Sequence, residues 1–293
     1  MKGIDVSTLQ GVIDWKKVSG AGVEFAMIKA TQGRGEGVAT RHLKRFTDGK
    51  FKKNIVAASD AGIFCGVYHY MTAQTVAEAR EEALYFCSIV APYREYISLW
   101  AAVDVESGMH LGNLGRYELA KVVREFMDTV KANGYKPMLY TNPNYLKYKF
   151  PPGVFDGDEI WLAHYNVKKP MQVPNTRIWQ YGTGGVDGIK VECDVNEGYF
   201  DLSVAAIDKL AALGVINTPE YWYQHVGDVK YLDTLLIRAA GKVKRSDLVC
   251  ADLNTALIAL VKAGVINSPE YWQTNADKVK YLPDLICRLG GCV

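Results

Sequence analysis

Up to residue 141, strand-length apolar runs alternate with helix-length amphipathic segments; after it they do not, and this break in rhythm constrains the fold more than any single motif. Alternation of strand and helix is the sequence sign of parallel strands joined by crossover helices. Residues 4–6, 25–30, 65–70, 99–106 and 137–141 read as the first five strands. Between them lie a short helix that starts at Asp14 and stops near Gly20, and a second through 54–58 that ends at Gly62. A third carries a stripe of Ala79, Ala83, Phe86 and Val90, and a fourth carries Leu119, Val122, Phe126 and Val130, closed by Asn133-Gly134. Three further strands are expected at 160–165, 177–181 and 191–196, but the links between them are short and carry Pro170, Pro174, Gly182, Gly184, Gly185 and Gly188. A parallel crossover normally takes a dozen or more residues, so these strands are not joined in the regular way. Eight strands with about five helices predict an α/β fold, an irregular TIM-like (β/α)5(β)3 barrel that is regular in its first half and reduced in its second. A plain doubly wound sheet is the alternative.

The last third is a repeat. The stretch from Gly214 to Trp222 recurs from Gly264 to Trp272, a period of 50 residues, with Thr218 against Ser268 the single difference. Val229-Lys230-Tyr231-Leu232 returns in the same register as Val279-Lys280-Tyr281-Leu282. Thr218 and Ser268, each followed by proline, read as helix N-caps. Residues 1–200 are therefore expected to form the barrel, and 201–293 a smaller all-α domain of two tandem repeats, about 204–243 and 254–293, that bury their apolar faces on one another.

Chemistry concentrates at strand ends. In residues 99–106 successive side chains alternate faces, so Trp100, Ala102, Asp104 and Glu106 share one face and both carboxylates point the same way. Two acids side by side after an apolar run lose water and repel each other, which keeps one protonated while its neighbour ionises. A barrel's site lies at the carboxyl ends of its strands. There the sequence places Asp5, Lys29, Tyr68, His69, Tyr70, Tyr140, Asn142, Trp161, Tyr165, Trp179, Gln180, Tyr181, Asp194 and Asn196. Met27 and Lys29 are expected inward, Ala26 and Ile28 outward, and Asp194 inward between Cys193 and Val195. Because the last strand closes on the first, Asp194 and Asp5 are expected to be neighbours. Acids, aromatics and amide or hydroxyl donors in one cleft suit a carbohydrate, whose rings offer flat C–H faces and many hydroxyls.

Other classes fit less well. A formal net charge of +2 without a basic block leaves no nucleic-acid footprint. The six cysteines have no CxxC pair and read as buried thiols made in a reducing compartment. The first residues contain no signal peptide and no run is long enough to span a bilayer, so synthesis in the cytoplasm without membrane insertion is expected. His42, His69, His110, His164 and His225 lack two-ligand helical spacing, and neither metal nor cofactor is expected; a metal-dependent barrel hydrolase, with His69 and His164 reaching the mouth, and a non-catalytic binding protein are the alternatives.

Gly3-Ile4-Asp5-Val6-Ser7 with Gln10-Gly11 and Ile13-Asp14-Trp15, then Lys29-Ala30-Thr31, Gly66-Val67-Tyr68-His69-Tyr70, Asp104-Val105-Glu106, Tyr140-Thr141-Asn142, Trp161-Leu162-Ala163-His164-Tyr165, Trp179-Gln180-Tyr181 and Asp194-Val195-Asn196 together resemble glycoside hydrolase family 25 over roughly residues 1–200. The resemblance implies an N-acetylmuramidase that cuts the β-1,4 bond after N-acetylmuramic acid in peptidoglycan, on a barrel of five helices and eight strands. It implies Glu106 as proton donor, Asp104 beside the 2-acetamido group, and Asp5 and Asp194 as the other cleft acids. A substrate-assisted retaining route is favoured over an inverting one in which Asp194 or Asp5 activates water. Leu9 stands where an aromatic is common and Gln32 where glutamate is frequent. The repeats resemble helical modules appended to clostridial and phage wall hydrolases. That likeness implies a cell-wall ligand, with dimerisation as the competing account, and an endolysin of a phage or prophage released through a membrane lesion.

Overall fold

The computed structural model describes every residue except 34, 36–43, 107–110, 112, 241, 243–248 and 293, and the backbone alone of 240, 287, 288 and 290–292. The chain divides into two compact units, Met1–Phe200 and Asp201–Val293.

In the first unit the elements run β1 (Lys2–Val6), α1 (Trp15–Gly20), β2 (Phe25–Gln32), β3 (Phe46–Thr47), α2 (Phe51–Asp60), β4 (Phe64–Tyr70), α3 (Val76–Val90), β5 (Ala101–Asp104), α4 (Arg116–Ala132), β6 (Pro137–Thr141), β7 (Ile160–Ala163), β8 (Thr176–Gly184) and β9 (Cys193–Gly198). The strands pair in the order β1-β9-β8-β7-β6-β5-β4-β2, and a β1–β2 pairing closes the ring, so eight strands form a barrel and the doubly wound sheet is excluded. Pairs from β1–β2 through β7–β8 are parallel, whereas β8–β9 and β9–β1 are antiparallel. The antiparallel pairs are what the short Pro- and Gly-broken links allow, since they need no crossover helix. The fifth crossover, between β6 and β7, holds a single π-helical turn, Tyr145–Lys149. The two-residue β3, which is not among the strands expected from the sequence, lies antiparallel on the end of β2.

Local chemistry sets the helix limits. Thr75 and Glu78 close a reciprocal capping box at the start of α3, and Asp14 accepts from the Lys17 N–H at the start of α1. Gly134, at φ +80°, supplies the left-handed residue after α4 that the Asn133-Gly134 pair predicts.

Strand alternation divides the barrel into two cores. Outward residues, among them Ile4, Ala26, Ile28, Val67, Val103, Leu139, Leu162 and Val195, pack with the helices in one apolar layer. Inward residues fill the lumen, and its floor is aromatic: Trp100 and Phe25 both meet the Phe200 ring edge-on, at 4.9 and 5.3 Å. Glycines make room for these rings, since a Cβ at Gly3 would lie 2.2 Å from Phe25 and one at Gly198 would lie 2.8 Å from Phe200. The lumen is therefore closed below, and polar side chains have space only above it.

The second unit repeats a three-helix motif: α5 (Leu202–Ala212), α6 (Pro219–His225) and α7 (Leu232–Ala240), then α8 (Leu253–Lys262), α9 (Pro269–Asn275) and α10 (Leu282–Cys292). Trp222 and Trp272 are core residues, 3% and 4% exposed, while the tyrosines beside them tie the repeats together. Tyr221 donates its hydroxyl to the Lys280 carbonyl (2.9 Å) and Tyr271 donates to the Lys230 carbonyl (2.8 Å), a reciprocal exchange of the kind a two-fold relation produces. Thr218 and Ser268 stand at the N-cap positions, but neither makes a capping hydrogen bond. No helix among the described residues is long and apolar enough to cross a membrane.

Candidate active site

Register brings the acids together. Asp5 on β1 lies directly opposite Asp194 on β9, and on β5 Asp104 sits between Tyr70 of β4 and Tyr140 of β6. Directly opposed residues of an antiparallel pair share a face, so Asp5 and Asp194 are neighbours in the lumen, and Cys193 and Val195 take the outer layer. Two residues beyond Asp104, Glu106 points the same way, half-buried at the rim.

A network of amides and hydroxyls orients Asp5. Its Oδ2 accepts from Gln180 Nε2 (2.7 Å) and Asn196 Nδ2 (2.8 Å). Asn196 Oδ1 in turn accepts from the Trp161 indole N–H (2.8 Å). Gln180 Oε1 accepts from both the Tyr140 (2.8 Å) and Tyr165 hydroxyls, which settles its amide orientation. The rings of Tyr68 and Tyr140 pack edge-on against Trp161 at 5.8 and 4.5 Å, so these aromatics form one wall.

The electrostatics follow from crowding acids in a space with little water. Burial, and then Asp194, push the Asp5 carboxyl up to about 7, against the two amide N–H groups that favour its ionised form. Asp104 rises well above the ordinary range, through burial first and the Glu106 charge second. Glu106 and Asp194 are also raised, both by desolvation first. Lys29 is the counterweight. Its ammonium lies 5.1 Å from the Tyr70 ring centre, donates to Gln32 Oε1 (2.8 Å), and draws both Asp104 and Glu106 downward. Burial lowers its own pKa, and burial pushes the Tyr70 hydroxyl up to about 12. One polar atom is left over: Asp104 Oδ1 is buried and has no hydrogen-bond partner among the described residues.

Glycosyl hydrolases family 25 is matched over residues 4–188. The chain belongs to this family. It is 30% identical over 224 residues to lysozyme M1 of Streptomyces globisporus, covering 72% of this chain and 71% of that one. It is 31% identical over 200 residues to an autolytic lysozyme of Clostridium acetobutylicum, covering 67% of this chain and 55% of the relative. The crystal structure of the bacterial lysozyme from Streptomyces coelicolor superposes with a TM-score of 0.56 at 28% identity, over 68% of this chain and 92% of that one. The family 25 enzyme is thus a muramidase glycosidase that hydrolyses peptidoglycan and acts on the cell wall.

Not every sequence candidate of this lysozyme joins the cluster. Trp179 and Tyr181 alternate to the face opposite Gln180; their rings lie 5.4 Å apart, and the Trp179 indole donates to the His164 carbonyl (2.8 Å). Asn142 spends its side-chain oxygen on the backbone N–H groups of Asn144 and Tyr145, at the start of the π turn. His69 turns out of the lumen, fully buried between Thr31 Oγ1 (2.7 Å) and Glu82 (2.9 Å), and His164 accepts from the Met171 N–H (3.0 Å), so the two do not converge at the mouth. His42 and His110 lie outside the described residues. Cys65, Cys87 and Cys193 are buried thiols; desolvation pushes Cys87 up to about 11 and Cys193 up to about 12.

The sequence reading left two positions beside the acids without a role of their own. Asn196 appears there as one strand-end residue among many, yet it is one of the two amides that grip Asp5. Tyr145, in the π turn, donates to the Glu106 backbone carbonyl (2.9 Å) and so anchors the strand end that carries the acid. Alternation from Asp194 flags Asn196; no local pattern flags Tyr145.

Proposed function

We propose that the enzyme cleaves the β-1,4 bond between N-acetylmuramic acid and N-acetylglucosamine with Glu106 as the general acid and Asp104 as the partner of the substrate's 2-acetamido group. The unsatisfied, desolvated Asp104 Oδ1 carries this reading. A buried acceptor without a partner is costly, and an acetamido N–H from a bound sugar removes that cost. Glu106, raised by burial, gives its proton to the glycosidic oxygen as the C1–O bond breaks, and the acetamido oxygen closes on C1. Water then adds at C1 as the bond from C1 to the acetamido oxygen breaks, and its proton returns to Glu106, with net retention. Asp5 and Asp194 repel each other across the β1–β9 pair, so the negative field that favours positive charge on the sugar ring comes first from Asp194 and gains Asp5 as pH rises through about 7.

Peptidoglycan incubated with Glu106→Gln is expected to release reducing ends at no more than about a thousandth of the wild-type rate, because the general acid is removed. The variant is expected to keep the wild-type circular dichroism spectrum. A folded Glu106→Gln protein with wild-type release contradicts the assignment. In the same reading the barrel does the chemistry and the second unit holds the wall, which suits a lysozyme delivered to its substrate from within, as an endolysin is.

A further inference from the structure

The second unit contains a groove of about 490 Å³ between its two repeats. That volume lies within the range of small-ligand sites, roughly 300–1,000 Å³. The first repeat contributes Tyr231, Leu235 and Arg238 to it, and the second contributes Asn267, Ser268 and Tyr271. No acidic side chain lines it.

The repeat itself separates structure from function here. Fifty positions away these six residues have as counterparts Tyr281, Leu285, Arg288, Asn217, Thr218 and Tyr221, identical except for the Ser-Thr exchange, whereas Thr234, also in the lining, is matched by Asp284. Residues 223–228, by contrast, differ from 273–278 at every position. Packing accounts for Leu235, which is buried, and the exchange with Lys230 accounts for Tyr271. It does not account for Arg238 and Asn267. Both are exposed, and no carboxylate among the described residues pairs with Arg238. Tyr231 and Tyr281 add a second sign, since both hold the left-handed region, at φ 69° and 68°, where L side chains are strained. Tyr231 is half-exposed, with its ring edge-on to Tyr271 at 5.6 Å, so the strain presents an aromatic wall to the groove.

We infer that this groove binds the carboxylate-bearing stem peptide of peptidoglycan, with the carboxylate on Arg238, peptide amides on Asn267 and Ser268, and an apolar side chain or sugar face on the tyrosines. The inference deepens the proposal that the second unit holds the wall, and rests on it. A single guanidinium matches one carboxylate per groove, whereas a phosphodiester polymer, charged at each unit, is matched by a basic stripe that the lining lacks. Two copies of the residue set in one chain raise the effective concentration at an insoluble polymer.

The test uses the full chain with Glu106→Gln, so that the wall is not digested, in co-sedimentation with peptidoglycan sacculi stripped of teichoic acid. Adding Arg238→Gln or Asn267→Ala is expected to weaken binding at least threefold, Arg238→Lys to retain most of it, and a soluble disaccharide-pentapeptide to compete. In chains that keep Glu106, these groove variants are expected to cleave soluble glycan fragments at the wild-type rate, which reports an intact fold. Undiminished binding of both Arg238→Gln and Asn267→Ala to stripped sacculi overturns the inference. Loss confined to walls that retain teichoic acid overturns it too, because the occupant is then the phosphodiester. Failure of the groove leaves reducing-end release by the wild type intact, whereas failure of the functional reading abolishes it.

Discussion

At the scale of single residues, the site is a contest between burial and charge, and Lys29 decides how far burial goes. It is the cation that pulls both Asp104 and Glu106 back toward ionisation. In Lys29→Met that pull is gone, and the basic limb of the kcat/KM profile, where the general acid is lost, is expected to move to higher pH; a limb that stays in place or moves lower contradicts the assignment. Asp5 makes a second prediction, about stability. Its folded-state pKa of about 7 lies above the ordinary 3.8, so between those values the folded protein holds a proton that the unfolded chain has released. Stability therefore falls as pH rises through that window, by up to about 1.4 kcal/mol per unit from this group. Asp5→Asn removes the slope while its side-chain oxygen still accepts from Gln180 and Asn196. Its melting temperature is expected to exceed the wild type's at pH 7 and to converge with it near pH 4; parallel profiles sink the account. Gln180 shows why these acids stay in place, because its amide joins Asp5 to Tyr140 and Tyr165 and no single rotamer change frees one contact alone.

Among the elements, what was legible in the sequence was whatever depends on period and spacing. Met27 and Lys29 inward, Ala26 and Ile28 outward, Asp194 inward between two outer-layer neighbours: each follows from alternation, and the structure has each so. The same rule argued against grouping Trp179 and Tyr181 with Gln180, since adjacent strand residues face opposite ways. Features made by distant contacts were not legible. The Phe200 floor needs Phe25 and Trp100, and β3 exists only as a rim on β2. The π turn was invisible for the same reason, yet it touches the proposed acid: Asn142 accepts from the Tyr145 N–H, and the Tyr145 hydroxyl donates to the Glu106 carbonyl. Tyr145→Phe loses that bond, about 1 kcal/mol of stability. Its kcat is expected to fall severalfold with KM unchanged in steady-state assays, and an unaltered kcat says that the turn is only structural.

For the whole molecule, the two units divide by how they are built. The barrel gathers acids from its first, fourth and last strands, β1, β5 and β9, into one lumen by closing on itself, and such a site exists only once the ring is complete. The helical unit instead repeats one motif and lets each copy complete the other, so its contacts come in matched pairs. In the proposed reading both arrangements suit an insoluble polymer: one breaks a bond, and the other keeps the enzyme near the next. The central claim is that the β5 acids act on the glycosidic bond that follows N-acetylmuramic acid. Mass spectrometry of borohydride-reduced fragments from digested peptidoglycan tests it most directly. The expected result is new reduced ends that are all N-acetylmuramic acid; new ends that are N-acetylglucosamine, or none at all, contradict it.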